Sequence, residues 1–159
     1  MSKSKNEELK AMFNMMNKLH HGFLARMKVG NMAKVVKYNK NTHTADIQPL
    51  AKSSDGQTPA QLLDVPVSEN CYIIDEILDR LKPELSKVDS HIGSSIVAKF
   101  PKKHLMRPGV PVAYVTLDRD TDNWERGRKA NIYMPNTSRL HDINDSVIIG
   151  VFGGDAKDG

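Results

Sequence analysis

Between Glu7 and Met27 the apolar residues Leu9, Met12, Phe13, Met16, Leu19, Phe23 and Met27 recur at steps of three and four, the repeat of one helical face. The spacing predicts an amphipathic helix. Ser4 with Glu7 reads as a capping box for its free N–H groups, and Gly30-Asn31 as its stop. His20 falls on the apolar side and reads as a packing residue rather than a metal ligand. A stripe this rich in Met and Phe needs a surface to pack on. That surface is either its own domain or a copy of itself or a neighbouring protein, and the pattern alone leaves both open.

After Gly30 the texture changes to short β-like runs. Residues 33–38 and 44–50 flank the polar turn Asn39-Lys40-Asn41-Thr42 and predict a hairpin, and 62–67 follows a Ser/Asp/Gly/Pro loop. Further runs lie at 95–100, 111–117, 129–134 and 146–152. One segment breaks the series: Ile73, Ile74, Ile77, Leu78, Leu81, Leu85 and Val88 form a second helical stripe within residues 70–89. Pro83 predicts a kink there, or two short helices, because it lacks a donor and disfavours helical geometry at Lys82. The resulting fold class is mainly β: a small antiparallel OB-like barrel over 32–152 with a helical insertion at 70–89. A helical arm over 1–31 precedes it, and a flexible tail over 153–159 follows.

At 159 residues the chain is long enough for one domain to bury roughly 68–70% of its unfolded surface. With 39% hydrophobic and 26% charged residues it is neither disordered nor membrane-embedded in character, and no apolar run is long enough to span a bilayer. The N-terminus lacks the pattern of a secretory signal, which points to assembly in a cytoplasm. A single cysteine, Cys71, excludes an intrachain disulfide, and any thiolate zinc site would have to be built almost entirely from other ligands. The net charge of +4 permits a polyanionic partner without requiring one; its densest basic cluster, Lys99 to Arg107, reads as a solvated loop.

Candidate chemistry is sparse. Asp118, Asp120 and Asp122 occupy the first, third and fifth places of a calcium loop, but Asn123 stands where the turn Gly belongs and Lys129 where the bidentate Glu belongs. The carboxylates are instead expected to solvate a turn and pair with Arg119 or Arg126. No pair of histidines has metal-ligand spacing, no nucleophile elbow accompanies His141-Asp142, and neither a GxxxxGK[ST] nor a strand-following GxGxxG string is present. No enzyme activity, metal or cofactor is therefore expected. Tyr38, Phe100, Tyr114 and Tyr133 are the strand aromatics on which single-stranded nucleic acid could stack, a use of small barrels that competes with their use as core.

The runs Ala33-Lys-Val-Val-Lys-Tyr-Asn, Thr44-Ala-Asp-Ile-Gln-Pro-Leu, Leu62-Leu-Asp-Val-Pro-Val, Val97-Ala-Lys-Phe-Pro, Leu117-Asp-Arg-Asp-Thr-Asp-Asn-Trp, Ser138-Arg-Leu-His-Asp and Asp145-Ser-Val-Ile-Ile-Gly, in this order, resemble the N-terminal OB-fold domain of phage baseplate central-spike (membrane-puncturing) proteins. The resemblance covers most of 33–152. It implies a virion structural protein of the tail baseplate, a homotrimer about the tail axis that contacts other hub proteins, with no catalytic role and no nucleic-acid partner. It makes the aspartate string an architectural turn. Trp124 would cover one end of the barrel, Asp118 and Arg119 would close a buried or interfacial ion pair, and Pro49 and Pro66 would end strands. Leu9, Met12, Phe13, Met16, Leu19 and Phe23, with Ile74, Leu78 and Leu81, would be the interface residues. The helical insertion is longer than the family's connection, and no β-helical needle follows Phe152, so a plug or hub adaptor without membrane insertion of its own is the expectation.

Overall fold

Five of the seven predicted strands form, and they build one sheet. The computed structural model describes residues 2–53, 56–125 and 130–153, with the side chains of all of these but 2–4 and 26. The strands are β1 (Gly30–Asn39), β2 (Thr44–Pro49), β3 (Leu62–Pro66), β4 (Pro111–Thr116) and β5 (Ser146–Val151). Helix α1 (Ser2–Arg26) precedes them, and α2 (Ile73–Ile92) lies between β3 and β4.

The order across the sheet is β3-β2-β1-β4-β5, with every ladder antiparallel. Register shifts between Val35 and Lys37, Ala45 and Ile47, and Ala113 and Tyr114 put bulges into three of these ladders. Bulges bend strands and raise their twist, so the sheet curls into a half-barrel. Its two edges then meet: Val67 forms a parallel bridge with Ile148, and Ser68 N donates to Ile148 O at 2.9 Å. Pro49 and Pro66 end β2 and β3 as expected.

The concave face is the core. Alternate residues point into it, Ala33 and Val35 from β1, Ala45 and Ile47 from β2, Val112 and Tyr114 from β4, and Ile148 from β5. Met106 and Val110 close it from the loop before β4, which is tied to β1 by Gly109 N to Val35 O at 2.7 Å and Val35 N to Val110 O at 2.9 Å. Removing Val, Ile or Met side chains of this size from water is worth about 1.5–3 kcal/mol each, which is the main support of the half-barrel. Neither helix contributes its apolar stripe to this core.

The remaining expectations meet corrections. The run at 95–100 is a single 3-10 turn, Val97–Lys99, because the Asp89 carboxylate takes Ile96 N and Val97 N at 2.9 Å each and also binds the Ser94 hydroxyl. Those bonds claim the donors a strand would have paired. In the run at 129–134 the described part, 130–134, is not a strand, and Ile132 and Met134 are exposed; the β3 and β5 edges face each other, leaving no edge for it to join. Helix α2 is unbroken through Pro83, which sits on its exposed side, where solvent can serve the carbonyl of Asp79. It stops at Gly93, whose φ of 70° suits a residue without Cβ. Helix α1 ends at Arg26, and Gly30 belongs to β1, where a Cβ would come within 2.8 Å of Tyr114 O. Glycine serves close approach there, not helix termination. α1 begins at Ser2, ahead of the Ser4–Glu7 pair, and the Ser4 side chain, Arg126, Lys129 and the tail beyond Gly153 lie outside the described residues.

Candidate interaction surface and its polar anchors

Helix α1 holds its apolar residues clear of the barrel. Leu9, Met12, Phe13, Met16, Leu19 and Phe23 are 54–67% exposed, and His20 is exposed beside them instead of packed. Isolated helices are marginal in water, and apolar side chains left there forfeit the burial that would hold this one.

Helix α2 is oriented in an unusual way for an amphipathic helix, with its charged flank facing its own chain. Asp75, buried, accepts Leu105 N at 2.7 Å. Asp79 pairs with His104 Nε2 at 3.0 Å, Lys40 Nζ at 3.5 Å and Lys82 Nζ at 3.3 Å. The His104 hydrogen bond is the largest cause holding the Asp79 carboxyl down at about 2, with Lys82 and Lys40 adding to it. Hydrogen bonds from Ser94, Val97 and Ile96 likewise lower Asp89. The apolar stripe lies more than a third of a turn away at about 100° per residue. There Ile74, Ile77, Leu81, Val88 and Ile92 are 43–63% exposed, and Leu78 and Leu85 are half-buried.

The root of α2 is an aromatic joint. The His43 ring stacks on Tyr72 with centroids 4.0 Å apart and planes 6° from parallel; its Nε2 lies 3.6 Å from Glu76 and its Nδ1 3.3 Å from the Tyr38 hydroxyl. Burial first, then Tyr72 and the Glu76 and Asp75 carboxylates, push the Tyr38 phenol well above its ordinary range, so the hydroxyl keeps its proton and can donate to His43. His43 holds a left-handed φ of 51° to reach this position. Trp124, expected to cover a barrel end, is half-buried and lines an open hollow of about 730 Å³ beside His43 and Tyr72.

The aspartate string has an organiser the sequence did not suggest. Arg139 forks onto Asp145 through Nε and Nη2, each at 2.8 Å, and Nη2 also lies 2.9 Å from Asp122 and 3.2 Å from Asp120. Asp145 accepts the Thr121 amide and hydroxyl, and Asp120 accepts those of Thr137. Asp120 and Asp145 are 0 and 1% exposed. Thr137 chiefly lowers the Asp120 carboxyl and Arg139 chiefly that of Asp145, while Asp145 and Asp122 raise the guanidinium. The three carboxylates come within 4.8 Å of one another, a spacing that could hold a cation, but the guanidinium already supplies the positive charge there. Of the expected partners, Arg119 does pair with one carboxylate of the string, Asp118, at 3.3 Å; both side chains are at least 60% exposed, so within the chain this pair is not buried. The usable signal for Arg139 was a lone arginine in Ser138-Arg-Leu-His-Asp, between two acidic stretches.

Among the described residues no helix is long and apolar enough to cross a membrane. A scan against protein-family models and a search of curated proteins returned no match.

Proposed function

We propose that this chain is a non-enzymatic structural component of a phage tail baseplate, a hub adaptor or plug at the central spike, built on an OB-like barrel and self-associating as a trimer through its helices. The observation that carries this reading is that both helices turn apolar stripes outward from a half-barrel whose core is complete without them. Apolar faces of this extent mark contact surfaces. A five-stranded, partly open antiparallel circuit whose edges meet at β3 and β5 fits an OB-like barrel, and the Arg139 cluster gives the Asp-Arg-Asp-x-Asp-x-Trp string the architectural part that the family resemblance implies.

The same barrel could be a single-stranded nucleic-acid binder, but its side chains favour that use less. Tyr114 is 4% exposed and Tyr38 packs against the core, so neither offers a stacking face. In the basic cluster, His104 is committed to Asp79, and Arg107 Nη1 donates to the carbonyls of His104 and Leu105.

Light scattering after gel filtration tests the assembly, with a trimer mass expected. Antibody against the chain should decorate the tip of tail particles from the strain that carries its gene. Expression without labelled tails, or tight single-strand binding at physiological salt that falls on Tyr114→Ala, overturns the baseplate reading.

A further inference from the structure

We infer that the α1 helices of three copies pack on one another as a parallel, in-register coil. This contact rests on the self-assembly put forward above and adds that α1 alone makes it. Leu9, Met12, Met16, Leu19 and Phe23 follow one another at steps of three, four, three and four, the a and d places of a heptad, and each is more than half exposed. A repeat of 3.5 residues keeps a seam facing a helix of the same repeat along its length. Phe13 at e and Met15 at g, equally exposed, widen the face on both sides. A helix between two neighbours uses so wide a face, whereas a two-helix seam needs only a and d. At on the order of 100 Å² exposed per side chain, the face offers about 700 Å², close to the ~800 Å² per partner of a standard interface.

The charge pattern selects identical helices. Unlike chains are matched in a coiled coil by charges at e and g. In α1 those places hold Asn6, Phe13 and His20 at e and Glu8, Met15 and Gly22 at g, so Glu8 is the one carboxylate and no Lys or Arg faces it. A foreign helix finds no charge code there, while a second α1 matches the first residue by residue. The basic residues of α1 do not oppose the contact. Lys3, Lys10 and Lys18 fall at b or c, away from the seam, and Lys5 and Arg26 take the next d places, where they bound it.

Helix α2 repeats the a and d spacing from Ile74 to Ile92 but has no room for a neighbour on each side. Asp75 and Asp89, at its e places, accept Leu105 N, and Ile96 N with Val97 N, from their own chain, and Leu78 and Leu85 at a are half-buried. On α1 every described side chain is exposed, so both flanks of its seam are open. Only residues 27–29 join α1 to β1, and a parallel coil therefore gathers the three barrels at one end.

The test uses the full chain. By light scattering, Met16→Asp should give monomer while the melting transition of the barrel is kept, and Leu81→Asp should leave the trimer mass unchanged. Leu9→Cys and Phe23→Cys chains, oxidised separately, should each form disulfide-linked pairs; native Cys71, 3% exposed, does not compete. Co-expressed with different tags, the same two chains should give no mixed pair, since fourteen residues of helix hold those places about 21 Å apart in a parallel coil. A wild-type monomer overturns both the inference and the self-assembly reading. A wild-type mass of other than three chains, an oligomer that survives Met16→Asp or is taken apart by Leu81→Asp, a mixed Leu9→Cys and Phe23→Cys pair, or no like pair at either position overturns the inference and leaves self-assembly standing. So does a Met16→Asp chain that loses the barrel's transition, because α1 would then be part of the barrel.

Discussion

Arg139 shows how one side chain can tie together distant stretches of one connection, here Asp120, Asp122 and Asp145. Asp120 and Asp145 are buried carboxylates, and burial without a counter-charge costs far more than the net value of the pairing. Arg139→Ala should therefore lower the melting temperature by on the order of 10 °C, judged from the usual cost of stranding a buried charge. Arg139→Lys should recover only part of this, since an ammonium cannot fork onto Asp145; thermal melts of the two variants against wild type check both statements. Asp79, Asp89, Asp120 and Asp145 all hold folded-state carboxyl pKa values below their ordinary one. Such groups stabilise the fold above the unfolded aspartate pKa of roughly 3.9 and lose that contribution as pH falls through their folded values. The urea midpoint should thus fall steeply between about pH 4 and the Asp79 value of about 2. A midpoint that stays level through that window contradicts the assignment. Calcium titration should give no site of micromolar strength, because a cation would have to displace the guanidinium.

At the scale of elements, β1 lies too close to β4 at Gly30 to admit a side chain. Gly30→Ala would place a Cβ 2.8 Å from the Tyr114 carbonyl oxygen and should cost about 1–3 kcal/mol through displacement of β1 from β4, read from chemical denaturation. Period-two burial made β1, β2, β4 and β5 legible in the sequence, and the three- and four-residue steps did the same for both helices. Strand periodicity failed at 95–100 and 130–134 because it registers apolar spacing, not competition for donors or the supply of free edges. Asp89 settled the first, and the meeting of β3 with β5 settled the second. The stripe of α2 was legible, but its outward orientation was not. That orientation depends on Asp75, Asp79 and Glu76 finding Leu105, His104, Lys40 and His43, partners 25 to 39 residues away in the chain. Arg139 was missed for the same reason: its value lies in the convergence of separate stretches of the β4–β5 connection, which spacing does not encode.

The whole molecule divides into a half-barrel with a finished core and a helix that shares none of it. Met16→Asp should accordingly leave the barrel's melting temperature within a few degrees of wild type, a surface-like effect, even as it removes the assembly. The same division has a consequence for proteases. Residues 27–29 are exposed, and Lys28 among them offers trypsin a cleavable bond between α1 and β1. At low concentration the nick at Lys28 should come early and leave a resistant barrel fragment beginning at Val29. At concentrations where copies associate, α1 would be held by a neighbour, and the half-time of that single cut should lengthen. Digestion kinetics over a dilution series then measure subunit association from the fate of one peptide bond.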